Sequence, residues 1–138
     1  MKVVDTMGNL TRNFDIEEFK CSCGCGFGTK YNHIHRDLAT LLQKIRDAYG
    51  APIIITSGCR CNAYNAKIGG AERSTHTFGM AADIQPADGD RARLIETIET
   101  LYSKEQIPEL GGFGYMSYKN GCIHVDVFRS ADGHLRRW

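Results

Sequence analysis

Phe113-Gly-Tyr-Met-Ser-Tyr118 and Cys122-Ile-His124-Val-Asp126-Val-Phe128 flank Lys119-Asn120-Gly121. Two alternating apolar runs around Asn-Gly read as a β-hairpin, because Asn and Gly tolerate the positive φ of a tight hairpin turn. Side chains alternate faces along a strand, so Ile123, Val125 and Val127 share one face and read as core. Cys122, His124 and Asp126 share the other. A histidine and an aspartate on the same strand face, two residues apart, stand roughly 7 Å apart by strand rise.

Upstream, the pattern changes period. Ile34, Leu38, Leu41, Leu42, Ile45 and Tyr49 recur at helical spacing, and Gly50 follows as a stop. Pro52-Ile-Ile-Ile-Thr56 is β-branched and reads as a buried strand. Ser57-Gly58-Cys59-Arg60 is a turn, and residues 62–68 form a short helix capped by Asn62 and ended by Gly69-Gly70. Ala81 to Ile84 is a second short strand. Asp90 caps a second long helix with the stripe Leu94, Ile95, Ile98, Leu101 and Tyr102. Residues 13–19 allow one turn of helix, capped by Asn13 or Asp15. The expected fold class is α+β, with a small antiparallel sheet and a C-terminal hairpin packed against helices. Residues 1–12 read as a flexible tail and residues 13–138 as one domain.

Composition narrows the function classes. The chain has 138 residues, 42% hydrophobic and 24% charged, with a net charge of +1. That balance directs it neither to nucleic acid nor to an anionic membrane. No apolar run is long enough to span a bilayer, and the N-terminus has no signal-peptide apolar core. The expectation is synthesis in a cytoplasm, action elsewhere after release or export, and a monomeric chain. Six cysteines, at 21, 23, 25, 59, 61 and 122, show no C-x-x-C ribbon spacing. Free thiols, a disulfide and a thiolate metal site all remain open.

The chemistry concentrates in Ser74-Thr-His76-Thr-Phe-Gly79-Met-Ala81-Ala-Asp83. Small residues let the backbone crowd there, and Asp83 closes an apolar run, where a buried carboxylate needs a charge partner or a metal. With His124, this makes two imidazoles and a carboxylate, a common ligand set for a catalytic zinc.

Together with Ser57-Gly-Cys-Arg60, Asn62-Ala-Tyr-Asn65, Gly69-Gly70 and Ile123-His124-Val-Asp126, the motif resembles the zinc D-Ala-D-Ala carboxypeptidase-like peptidases. That family includes D,D-carboxypeptidases, phage L-alanyl-D-glutamate endopeptidases and vancomycin-resistance D,D-dipeptidases; hedgehog signalling domains share its zinc fold. The likeness runs from about residue 13 to 138, and Arg136-Arg-Trp138 resembles the ending of the small peptidoglycan-peptidase branch. The resemblance implies Zn2+ held by His76, Asp83 and His124. It implies Arg60 on a substrate carboxylate or carbonyl, with Ser74 touching substrate or supporting the zinc loop. The substrate would be a peptidoglycan stem peptide, cut by a zinc-activated water as in phage endolysins. Many relatives carry a proton-transferring acid three residues before the last histidine, where this chain has Gly121. Asp126 is the nearest acid and is the expected base or a supporting partner. Cys122 stands where several relatives carry another histidine. A non-catalytic, zinc-stabilised cell-wall-binding module is the competing expectation, and a thiolate or redox unit a third.

Overall fold

The computed structural model describes residues 8–116 and 121–138. Two α-helices and a five-stranded sheet dominate it. The helices are α1 (Arg36–Tyr49) and, after a shorter α2 (Asn62–Lys67), α3 (Arg91–Ser103). The strands are β1 (Ile53–Ser57), β2 (Ala81–Pro86), β3 (Gly112–Gly114), β4 (Ile123–Asp126) and β5 (Arg136–Arg137), in the order β1-β2-β4-β3-β5. The expected α+β class holds. Neighbouring strands run antiparallel except β5, which lies parallel to β3. Nothing in the sequence pattern predicts β5.

The sheet has two unlike faces. Ala82 and Ile84 on β2 pair with Val125 and Ile123 on β4, and Phe113 on β3 pairs with Val125. These side chains are fully buried and join Leu38, Leu41, Leu42 and Ile45 of α1 and Leu94 and Ile98 of α3 in one core. Each such aliphatic side chain contributes roughly 1.5–3 kcal/mol relative to exposure. The α3 stripe is narrower than the sequence suggests: Tyr102 at its edge is 36% exposed. The opposite face carries Ala81, Asp83, His124 and Asp126, the polar three all buried.

Local chemistry sets the ends of the elements. His35 caps α1, its ring accepting from the Asp37 amide, and Gly50 closes it in the left-handed conformation. Asp90 accepts from the Arg93 amide at the start of α3, as expected. The Asp15 amide donates to the Glu18 carboxylate and fixes a 3-10 turn at Ile16–Phe19. At α2 the cap is Cys61, whose Sγ accepts from the Tyr64 amide, and not Asn62. Asn62 is already the first helical residue, so its side chain is one position too late.

The expected hairpin pairing is present in β3 and β4, while Lys119 and Asn120 of its turn, and Ser117 and Tyr118 before it, lie outside the described residues. Arg91 holds the two ends of this connection together. Its guanidinium donates to the carbonyls of Tyr115, Gly121 and Cys122. Residues 8–12 run against the helical layer: Leu10 donates to the Phe14 carbonyl, and Thr11 Oγ1 to Gln43 on α1.

One glycine ties the core to the opposite face. Gly79 has φ 67° and ends a 3-10 turn at Thr75–Phe78. A Cβ there would lie 1.9 Å from the His33 carbonyl oxygen. Gly79→Ala therefore meets both a disfavoured backbone region and a backbone clash. We expect a loss of about 2–4 kcal/mol, read as a lowered urea midpoint with unchanged slope. A midpoint equal to wild type would show that the loop repacks freely.

Candidate metal centre

Register brings the ligands together. Asp83 and His124 are direct cross-strand partners on β2 and β4, so their Cβ atoms start about 5 Å apart on the same face. His76 comes from the 3-10 turn that leads into β2. Ser74 opens that turn, its Oγ accepting from the His76 amide. The His76 carbonyl accepts from the Arg60 amide, which ties the turn to the loop after β1. His76 Nε2, Asp83 Oδ1 and His124 Nδ1 all lie within 4.8 Å of one another. Each histidine nitrogen is 3.2 Å from Asp83 Oδ1.

The outward sides of both rings are occupied. His76 Nδ1 is 2.7 Å from the Gly58 carbonyl, and His124 Nε2 is 2.7 Å from Asp126 Oδ2. Both partners only accept, so the outward nitrogens carry the protons. In the neutral rings the inward nitrogens then present lone pairs to a carboxylate that is itself an acceptor. Three buried lone pairs aimed at one point repel each other unless a cation or added protons sit among them. The donor set, two imidazoles and one carboxylate, fits zinc.

Electrostatics agree. Burial alone would raise the Asp83 carboxyl, but hydrogen bonds and charge from His124 and His76 override it and hold it well below the usual carboxylate range. Burial works against the charged form of His124, while Asp126 and Asp83 pull its pKa above the ordinary value. The second Asp83 oxygen meets Arg60 Nη2 at 3.3 Å. Arg60 is in turn oriented by Ser57 Oγ at 3.1 Å and Asn65 Oδ1 at 3.0 Å. Arg60 thus supplies the charge partner that a buried Asp83 requires.

Asp126 lies behind the metal site. It is fully buried, and its oxygens accept from His124, Arg136, the Phe128 amide and Thr75 Oγ1. The tip-to-tip contact with His124 is far shorter than the separation expected from strand rise, because the two side chains lean together. Cys122 lies beside the site without joining the three donors, with Thr56 Oγ1 at 3.2 Å and Gln85 Nε2 at 3.4 Å.

Strand β3 makes room for this arrangement by having almost no side chains. A Cβ on Gly112 would lie 2.4 Å from Asp126 Oδ2, and one on Gly114 would lie 2.5 Å from the Trp138 ring. Arg136 and Trp138, at β5, cover these glycines, and the Trp138 ring packs 4.8 Å from that of His124. Sequence reasoning did not find this wall. Its one signal was the Arg-Arg-Trp ending.

The three donors open into a cleft of about 700 Å³. Arg60, Ser74 and Trp138 line it with Ser22, Tyr64 and Glu72. A cleft with a buried two-histidine, one-carboxylate site at its floor suits a metal-dependent hydrolase.

The chain belongs to the peptidase M15 family, whose model matches residues 12–126. Members of that family are zinc-dependent peptidases, and the matched region contains His76, Asp83 and His124. A comparison with curated proteins finds no match. Among the described residues, no helix is long and apolar enough to cross a membrane.

Proposed function

We propose that this peptidase hydrolyses peptide bonds in peptidoglycan stem peptides, as a D,D-carboxypeptidase or an L-alanyl-D-glutamate endopeptidase does. The observation that carries the reading is the convergence of His76 Nε2, Asp83 Oδ1 and His124 Nδ1 at the floor of a cleft walled by Arg60. Zinc held by these atoms supplies Lewis-acid activation of water and of the scissile carbonyl. His76 and His124 are held in the ligating tautomer by Gly58 and Asp126.

Arg60 pairs with Asp83 and lines the cleft, and the terminal N–H groups not taken by Asn65 and Asp83 are suited to a substrate carboxylate. Stem peptides offer such carboxylates at a free C-terminal D-Ala and at acidic residues. Ser74 braces the His76 turn and lies on the cleft wall, within reach of substrate. Asp126 serves as the positioning residue for His124, the second of the two roles open to it from its place on the strand. Glu72, which besides Asp83 is the carboxylate lining the cleft among the described residues, is the group that would take the water proton. The protein acts on the wall after release or export, as a monomer.

A binding module is the second reading, favoured by Gly121 in the acid's usual place and by the engagement of Asp126. Incubation with purified peptidoglycan separates the two. The peptidase releases stem-peptide fragments that mass spectrometry assigns to one bond. Chelator abolishes the release, and Glu72→Gln slows it. Wall binding with no fragments under any metal condition would replace the peptidase by the module.

A further inference from the structure

A second cluster of metal-ligating side chains stands apart from the histidine site. Cys21, Cys23 and Cys25 alternate along a glycine-rich loop, and Cys61 caps α2. The four Sγ atoms all lie within 4.8 Å of one another. Cys21 and Cys23 are 3.5 Å apart at sulfur, and Cys23 and Cys61 are 3.6 Å apart. A disulfide needs a separation of about 2.05 Å, and all four are free thiols. Four sulfurs around a tetrahedral zinc, each at about 2.3 Å, stand about 3.8 Å from one another. The spacing is that of a tetrathiolate site.

The backbone explains why they meet. The Cys21 amide donates to the Phe27 carbonyl at 2.7 Å, and the Gly24 amide to the Cys21 carbonyl at 3.2 Å. Gly24 and Gly26, at φ 82° and 94°, allow the loop to curl so tightly. The Cys59 amide donates to the Phe19 carbonyl at 2.8 Å, which lays the start of this loop beside the segment leading to Cys61. Two amides then point at sulfur. The Cys61 N–H meets Cys21 Sγ at 3.4 Å, and the Tyr64 N–H meets Cys61 Sγ at 3.4 Å. Amide donors of this kind stabilise metal-bound thiolates. Cys59 and Cys122 are buried elsewhere and take no part.

We propose that Cys21, Cys23, Cys25 and Cys61 hold a structural zinc in a tetrahedron of four thiolates, separate from the His76, Asp83 and His124 centre. The four thiols lose their protons to solvent as the ion binds. All four ligand positions come from protein, so this zinc has no open position for chemistry. Its role is mechanical. Ser22, between two of the ligands, lines the catalytic cleft, and Arg60 is the neighbour of Cys61. The zinc clips the 21–25 loop to the Arg60 turn and fixes one wall of the cleft. The proposal rests on the sulfur geometry alone and stands whether or not the protein cuts peptidoglycan.

Metal analysis of the purified full chain tests it. The wild type is expected to carry two zinc ions per chain. His76→Ala should keep one, and the double variant Cys23→Ser, Cys25→Ser should keep the other. Cobalt added to metal-free His76→Ala protein should give an intense thiolate-to-cobalt charge-transfer band. That spectrum decides the matter even where the double cysteine variant fails to fold. A single zinc in the wild type that is lost in His76→Ala would overturn the proposal. So would a cobalt spectrum without thiolate bands, or iron in place of zinc at the cysteines.

Discussion

Asp83→Ala is expected to abolish zinc binding at the catalytic centre and to lower kcat by about a thousandfold or more, since a Lewis acid contributes several kcal/mol to the barrier. Two separate losses combine in this variant. One of three protein ligands disappears from a point where His76 and His124 supply the others. The Arg60 guanidinium, with a side chain only 11% exposed, also loses its carboxylate. A buried charge stripped of its partner costs about 3–5 kcal/mol, so the fold weakens as well. Asp83→Asn separates the effects, because the amide keeps the shape and a hydrogen-bond acceptor for Arg60. Zinc content, kcat on a stem peptide and the urea midpoint should all fall in the alanine variant. The asparagine variant should lose zinc and kcat with a smaller change in midpoint. Full turnover in Asp83→Ala would remove this site from the chemistry.

Asp126→Asn is expected to weaken zinc binding by about 10–100-fold, the usual effect of removing a carboxylate that orients a metal-bound histidine. The asparagine still accepts from His124 Nε2, but it no longer draws charge onto the ring and no longer opposes Arg136. With zinc at saturating concentration most of the turnover should return. A general base behaves in the opposite way: its loss leaves affinity intact and turnover low at every zinc concentration. A zinc titration of activity, with a chelator buffering the free ion, distinguishes the two outcomes.

The legible parts of the sequence were those where pattern and packing coincide. The α1 stripe from Leu38 to Tyr49 faces one core, so its period survives into the structure. Ile123 and Val125 alternate with His124 and Asp126, and the two sets do occupy opposite faces. The grouping of His76, Asp83 and His124 was legible because its motif is specific. What could not be read depended on distant partners. Strand β5 is two arginines paired with β3, with no apolar alternation to mark them. Asp126 was placed on the correct face, but its contacts follow from side-chain lean toward His124 and from Arg136, ten residues away. The meeting of Cys61 with Cys21 follows from long-range bonds, Cys59 to Phe19 and Cys61 to Cys21, which no local pattern announces.

The pairing of Asp83 with His124 across β2 and β4 would also make an ion bound there a proofreader of strand alignment. A slip of one residue turns every side chain of a strand to the other face. Ile84 or Ile123 would then point where a ligand belongs, and a carboxylate or an imidazole would enter the helical core. A misaligned chain of this kind holds no catalytic zinc. Occupancy of the histidine site, counted apart from the cysteine site, would therefore report the molecules whose central strands have joined correctly, and refolding with zinc present should enrich that population.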